Sequence, residues 1–167
     1  INMKQNKVLI LGAGFAGVYA YLDLLKHDKK CDCVVVTCVN NTDRFDFIVL
    51  AHEVATGGLL PDNTSQSIQS LPRDKDTDFI QAMVTSVNFD SQEVSITRTD
   101  SLCKNGKKHT HKDTLPYDYL IMGLGSTTND FNIPGVLDHA LHLKSFDDAK
   151  KIKNKILDSF ESAQYCQ

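Results

Sequence analysis

Gly12, Gly14 and Gly17 follow the apolar run Lys7–Val8–Leu9–Ile10–Leu11 at the spacing G-x-G-x-x-G. Glycines so placed bring the backbone, rather than side chains, up to a phosphate. Gly12 permits a tight turn, Gly14 lets a pyrophosphate approach the main chain, and Gly17 lets the next helix pack closely on the strand. That helix continues with apolar residues at helical spacing, Val18, Tyr21, Leu22 and Leu25. Its first turn offers N–H groups without intrahelical acceptors, at the positive end of the helix dipole. A strand before and a helix after are the context that gives the motif meaning. The plainer reading of the same residues is a strand–helix turn that holds no ligand.

A second position belongs to the same chemistry. In dinucleotide sites an acid about 20 residues past the glycines holds the ribose hydroxyls. Here the end of the next β-branched run, Cys33 to Val39, carries Asn40 and then Asn41. An amide accepts and donates hydrogen bonds to a hydroxyl, but its acceptor is neutral.

Other reactive side chains make no constellation. His52 and Glu53 are adjacent, so on a helix they project about 100° apart and form no acid–base pair. Glu53 reads as a structural or hydrogen-bonding residue rather than a catalyst. His109 and His111 lie in a lysine-rich stretch without a third ligand, which is no metal site. The five cysteines, at 31, 33, 38, 103 and 166, include no C-x-x-C pair. An odd count without a signal peptide predicts reduced thiols in a cytoplasmic protein. No catalytic acid, base or nucleophile is expected.

These residues need a scaffold, and 167 residues with 41% hydrophobic content suffice for a sizeable core. The net charge of −3 and the absence of a basic patch argue against nucleic-acid binding. No run of about 18 apolar residues predicts a membrane span. Ile1–Asn2 reads as a tag remnant before a native Met3. Strand, glycine turn, helix and second strand predict a parallel βαβ unit with a right-handed crossover. Phe45 to Thr56 reads as a helix stopped at Gly57–Gly58, and Pro61 to Arg73 as a turn-rich stretch. Phe79–Asn88 and Glu93–Arg98 read as an antiparallel hairpin around Asp90–Ser91–Gln92. Ser101 to Asp113 reads as a loose polar excursion, and Tyr119–Met122 as a buried strand. Ser145 to Ser162 reads as an amphipathic helix with Ser145 as N-cap.

Several stretches together carry a resemblance: Lys7 to Gly17, Glu53–Val54–Ala55–Thr56–Gly57, Tyr117–Asp118–Tyr119–Leu120–Ile121 ending at Gly123 and Gly125, and Ile133–Pro134–Gly135–Val136. In this order they resemble the FAD-dependent pyridine nucleotide-disulfide oxidoreductase superfamily. Within it the chain is similar to type II NADH dehydrogenase, the single-subunit NADH:quinone oxidoreductase. The run Leu143–Lys144–Ser145–Phe146–Asp147–Asp148–Ala149 points to the same branch. Disulfide reductases carry a redox cysteine pair soon after the first βαβ unit, and no cysteine stands near Gly57. Cys103 and Cys166 fit the positions used by sulfide:quinone reductases poorly.

The resemblance implies an α/β fold: a Rossmann-like FAD-binding domain with a parallel sheet and a small antiparallel β-meander, incomplete. Residues 3–163 would be the N-terminal part of that domain, without the NADH-binding domain or the C-terminal membrane-binding region. FAD is the implied cofactor. Gly12 and Gly17 would shape its loop, and the backbone of Gly14, Phe15 and Ala16 would face the pyrophosphate. Asn40 would replace the ribose-binding acid, and the backbone of Val84 would meet the adenine. Thr56, Gly57, Gly123 and Gly125 would lie near the flavin. The full-length protein would pass hydride from NADH to FAD and electrons to quinone, peripheral on the cytoplasmic face of a membrane. An uncovered sheet edge would favour a homo-oligomer. The alternative is a non-catalytic dinucleotide-binding module acting as a sensor or regulatory domain. A second glycine motif following Gln167 in the parent gene would favour the enzyme.

Overall fold

The computed structural model describes residues 5–28, 33–73, 75–99 and 110–164. Strand β1 (Asn6–Leu11) leads through the glycines into helix α1 (Phe15–Asp28) and strand β2 (Val34–Asn40). Short strands β3 (Arg44–Asp46) and β4 (Ser65–Ser67) enclose helix α2 (Ala51–Thr56). Strands β5 (Thr77–Gln81), β6 (Met83–Asn88), β7 (Glu93–Thr99), β8 (Thr110–Pro116) and β9 (Tyr119–Met122) follow. Helices α3 (Val136–His139) and α4 (Phe146–Gln164) complete the described chain.

The chain divides into two compact units, Ile1–Phe45 with Ser67–Gly125, and Asp46–Gln66 with Ser126–Gln167. In the first, a parallel sheet has the order β5-β2-β1-β9, and a separate antiparallel sheet has the order β6-β7-β8. This is the α/β class expected. β1 shows why its sequence is unbroken apolar. Val8 and Ile10 pack with Val36 and Cys38 of β2 against Val18, Tyr21 and Leu25 of α1. Leu9 and Leu11 point the other way, into a cluster with Val39, Ile80, Val94, Ile96 and Tyr117. Ile10 and Leu11 are fully buried. Each such side chain stabilises the fold by about 1.5–3 kcal/mol. The Tyr21 hydroxyl, carried into this core, donates to the Pro72 carbonyl at 2.9 Å.

Three expectations need correction. Residues 79–88 are not one strand. β5 joins the parallel sheet beside β2, and after Ala82 the chain enters the antiparallel sheet as β6. The Ala82 N–H donates to the Asn40 carbonyl at 2.8 Å, so the switch is pinned by backbone bonding. Residues 110–113 are not a loose tip but the start of β8, paired along its length with β7; residues 101–109 lie outside the described set. The helix expected from Phe45 begins only at Ala51. Phe45 instead sits edge-to-face on Phe15, with ring centroids 5.2 Å apart. Asp46 accepts a hydrogen bond from the Ser65 hydroxyl.

The cysteines also depart from expectation. Cys33 is disulfide-bonded, and Cys31, Cys103 and Cys166 lie outside the described residues. The expectation of reduced thiols throughout therefore fails at Cys33. Cys38 is a free, buried thiol, and burial pushes its pKa up to about 11. It is inert packing rather than a nucleophile.

In the second unit, Ala51, Val54 and Ala55 of α2 pack with Phe146 and Ala149 of α4. α2 stops at Gly57, whose φ of 84° is left-handed, as a glycine stop requires. α4 starts where its sequence indicates. The Asp148 N–H donates to the Ser145 hydroxyl at 3.1 Å, and the Asp148 carboxylate accepts the N–H groups of Ser145 at 3.0 Å and Lys144 at 3.2 Å. Hydrogen bonding from the Ser145 side chain, then from these two N–H groups, with Lys151 nearby, holds the Asp148 carboxyl below its usual range. A depressed carboxyl stabilises the folded state above its unfolded pKa and stops doing so as pH falls through the folded value. The cap is therefore expected to fail only below about pH 4. Asp148→Asn should already show the weakened α4 at neutral pH and lose that acid step, read by far-UV circular dichroism against pH. An unchanged acid profile would show that Asp148 plays no part in it.

Candidate functional site

The parallel sheet presents three strand ends at one rim: Leu11 running into Gly12, Asn40, and Met122 running into Gly123. β1 lies in the middle of the three, paired with β2 at Leu11↔Val39 and with β9 at Leu11↔Met122. Open parallel sheets bind ligands at this rim, beyond the carboxyl ends of the strands.

Backbone bonds tie the three ends together. The Gly12 N–H donates to the Val39 carbonyl at 2.7 Å, and the Gly123 N–H to the Leu11 carbonyl at 2.7 Å. The glycines then fall into distinct roles. A Cβ on Gly12, whose φ is +93°, would stand 2.3 Å from the Gly123 carbonyl oxygen. A Cβ on Gly17 would stand 1.8 Å from the Gly12 carbonyl oxygen. A Cβ on Gly123 would meet the Gly17 nitrogen at 3.3 Å, so this second glycine stretch seats against the first. Gly14 is different: nothing lies within 4 Å of a Cβ placed there, and it is exposed. Gly125 likewise faces open space, with φ +78°. Three glycines thus make the loop close-packed, and Gly14 leaves its outer side clear for a ligand.

Asn40 is half-buried and its side chain is committed. Its Oδ1 accepts the Ala13 N–H at 3.0 Å, and its Nδ2 donates to the Thr42 carbonyl at 3.0 Å and the Thr42 hydroxyl at 3.1 Å. Sequence reasoning placed Asn40 at the site but missed Thr42. The Asn-x-Thr pattern was the available signal, since asparagine side chains bond the backbone two residues on. Val84 pairs with Ile96 and packs its half-buried side chain against the inner cluster, two residues past the Asn40–Ala82 bond.

Phe15 and Ala16 open α1 beside these glycines. Thr56 and Gly57 belong to the second unit, where the Thr56 hydroxyl donates to the His52 carbonyl at 3.0 Å. His52 Nε2 and Glu53 Oε1 stand 3.6 Å apart, against the expectation that adjacent helical residues diverge. The imidazole swings across to the carboxylate in solvent, where such pairs contribute little. The Glu53 backbone carbonyl accepts the N–H groups of Gly58 at 2.8 Å and Leu59 at 3.2 Å, closing the end of α2. Among the described residues no three His, Cys, Asp or Glu side chains gather as a metal site.

Residues 6–163 match the sequence profile of the family described as pyridine nucleotide-disulphide oxidoreductase. The chain belongs to that family. Among relatives, it is 32% identical over 161 residues to the mitochondrial external alternative NAD(P)H-ubiquinone oxidoreductase B2 of Arabidopsis thaliana, covering 96% of this chain and 26% of that protein. It is 27% identical over 156 residues to the type II NADH:quinone oxidoreductase of Staphylococcus haemolyticus, covering 93% of this chain and 35% of the relative. The structure of NDH2 from Plasmodium falciparum, solved with NADH, superposes with a TM-score of 0.75 at 30% identity, covering 96% of this chain and 30% of the other. The chain thus spans roughly a quarter to a third of the length of these family members. The fold alone is shared with the sulfide:quinone oxidoreductase of Aquifex aeolicus, at a TM-score of 0.74 and 18% identity.

Proposed function

We propose that residues 3–163 are the N-terminal part of the FAD-binding domain of an NADH:quinone oxidoreductase. The observation that carries this is the rim where Gly12, Gly17 and Gly123 close on one another while Gly14 stays open. The fit to FAD follows from that difference. A pyrophosphate needs close backbone approach on one side of the loop and a rigid turn on the other. The first turn of α1, at Phe15 and Ala16, supplies N–H groups and a positive dipole end. Val84 offers backbone for the adenine, and Gly123 with Gly125 lets the chain pass close to the cofactor. The assignment of Thr56 and Gly57 to the flavin side rests on the family resemblance alone.

Bound flavin would supply the redox chemistry, with hydride coming from NADH and electrons leaving to quinone. The chain's own residues bind and orient. None of them is required as acid, base or nucleophile. Among the described residues no helix is long and apolar enough to cross a membrane. Peripheral contact with quinone at the cytoplasmic face of a membrane is part of the same proposal, and it rests on the family resemblance alone.

Absorbance titration of the purified chain with FAD tests the reading. A flavin band that shifts and saturates is the expected result. Preferential binding of NAD, or no binding of either nucleotide, would remove the assignment of residues 12–17 as an FAD cradle in this chain.

A further inference from the structure

At the end of β2 one side chain does two jobs, and the hydrogen bonds decide which comes first. Asn40 Oδ1 takes the Ala13 N–H inside the glycine loop, and both hydrogen bonds from Nδ2 go to Thr42. The carboxamide is thus engaged on both its oxygen and its nitrogen before any nucleotide arrives. One lone pair of Oδ1 remains, and it is neutral. The flanking backbone is equally fixed, through Gly12 N–H to Val39, Ala82 N–H to Asn40, and Gln81 Nε2 to Asn41 at 3.3 Å.

A carboxylate at this place would repel a phosphate on the ribose 2′ oxygen, and that repulsion is how such sites turn away 2′-phosphorylated dinucleotides. The amide exerts none. The loop's own acid, Asp43, is exposed, where solvent and salt screen its charge. We propose that Asn40 is a positioning residue that latches the glycine loop, and that its neutral amide leaves the site indifferent to phosphate at the ribose 2′ position. The inference rests on the nucleotide-binding reading above and adds the substrate class admitted at that site: adenine dinucleotide fragments with or without a 2′-phosphate.

The test compares ADP-ribose with its 2′-phosphorylated form on the 167-residue chain, beside an FAD titration. The wild-type chain is expected to bind the two fragments within about threefold of each other. Asn40→Asp keeps an acceptor for the Ala13 N–H and adds a charge, while losing the bond from Nδ2 to the Thr42 carbonyl, a loss that bears on both fragments alike. It should therefore disfavour the 2′-phosphorylated form relative to ADP-ribose by about tenfold or more. Asn40→Ala removes the acceptor, so both fragments should weaken together and the Ala13 amide should exchange faster with solvent. Thermal unfolding of each variant separates these effects from lost folding. A merely structural asparagine would move stability in Asn40→Asp without moving the ratio of the two affinities. An unchanged ratio overturns the proposal, as does a wild-type chain that already favours ADP-ribose by about tenfold. A chain that binds FAD but neither fragment overturns it alone. A chain that binds none of the three overturns the cradle assignment, and this inference with it.

Discussion

Gly17→Ala is expected to destabilise the first unit strongly, whereas Gly14→Ala, three residues earlier in the same motif, is expected to leave its stability unchanged. At position 17 the added methyl would stand 1.8 Å from the Gly12 carbonyl oxygen. Alanine is the better helix former by about 1 kcal/mol, which works in favour of the variant. The clash works against it and wins. Gly12 has little room to retreat, because its N–H is bonded to the Val39 carbonyl and the Gly123 carbonyl fills the space that a Cβ on Gly12 would take. Overpacking against backbone that cannot give costs about 3 kcal/mol or more. For a unit of this size that lowers the melting temperature by more than about 10 °C. At position 14 the methyl meets nothing within 4 Å. The melting temperature should stay within about 2 °C, because the change touches no neighbour. FAD affinity should fall, because the methyl occupies the side proposed for the pyrophosphate. An unchanged melting point in Gly17→Ala would refute the close approach. Unchanged FAD affinity in Gly14→Ala would refute the cradle.

Phe146→Ala carries the second largest effect, in the other unit. Phe146 is 5% exposed, and its buried neighbours Ala51, Val54, Ala55 and Ala149 are all smaller. Truncating a buried phenylalanine costs about 3–5 kcal/mol, and so small a cluster has little left to hold α4 in place. Beyond Ala149, Ile152 packs on the cluster half-buried, while Ile156, Leu157 and Phe160 are exposed, so the remaining contacts compensate only in part. A lysine-rich helix of 19 residues is marginal on its own in water. The far-UV signal at 222 nm should fall by an amount corresponding to α4. Phe160→Ala, at a position 72% exposed, should leave it unchanged. If both variants behave alike, the helix is not held by Phe146.

How much of this was legible in the residues depends on which elements carry their own pattern. β1, the glycine turn and α1 were readable because apolar run, glycine spacing and helical period agree within a few residues. The start of α4 was readable for the same reason, since Ser145 and Asp148 cap it locally. β8 was not. Thr110–Pro116 is a polar strand, exposed except at Leu115, and it exists because β7 supplies its hydrogen bonds. Periodicity carries no trace of such a strand. The break at Ala82 was hidden too, because Phe79 to Asn88 holds no glycine or proline to punctuate it. Two sheets claim that run, and only tertiary pairing divides it. At the rim, residue types identified Asn40, while its commitment to Ala13 and Thr42 depends on geometry that no spacing expresses.

The order of the parallel sheet also sets a clock. Lys7 N–H donates to Asp118 Oδ2 at 2.7 Å across a sequence separation of 111 residues, where β9 comes alongside β1. Chains emerge from the ribosome at about 5–20 residues per second, so one side of β1 waits about 6–22 s for its neighbour. Through that interval an apolar strand offers unpaired hydrogen-bonding groups to whatever passes. The nascent chain is accordingly most exposed to mispairing before Tyr119–Met122 is made, and anything that slows translation between β2 and β9 lengthens that hazard in proportion.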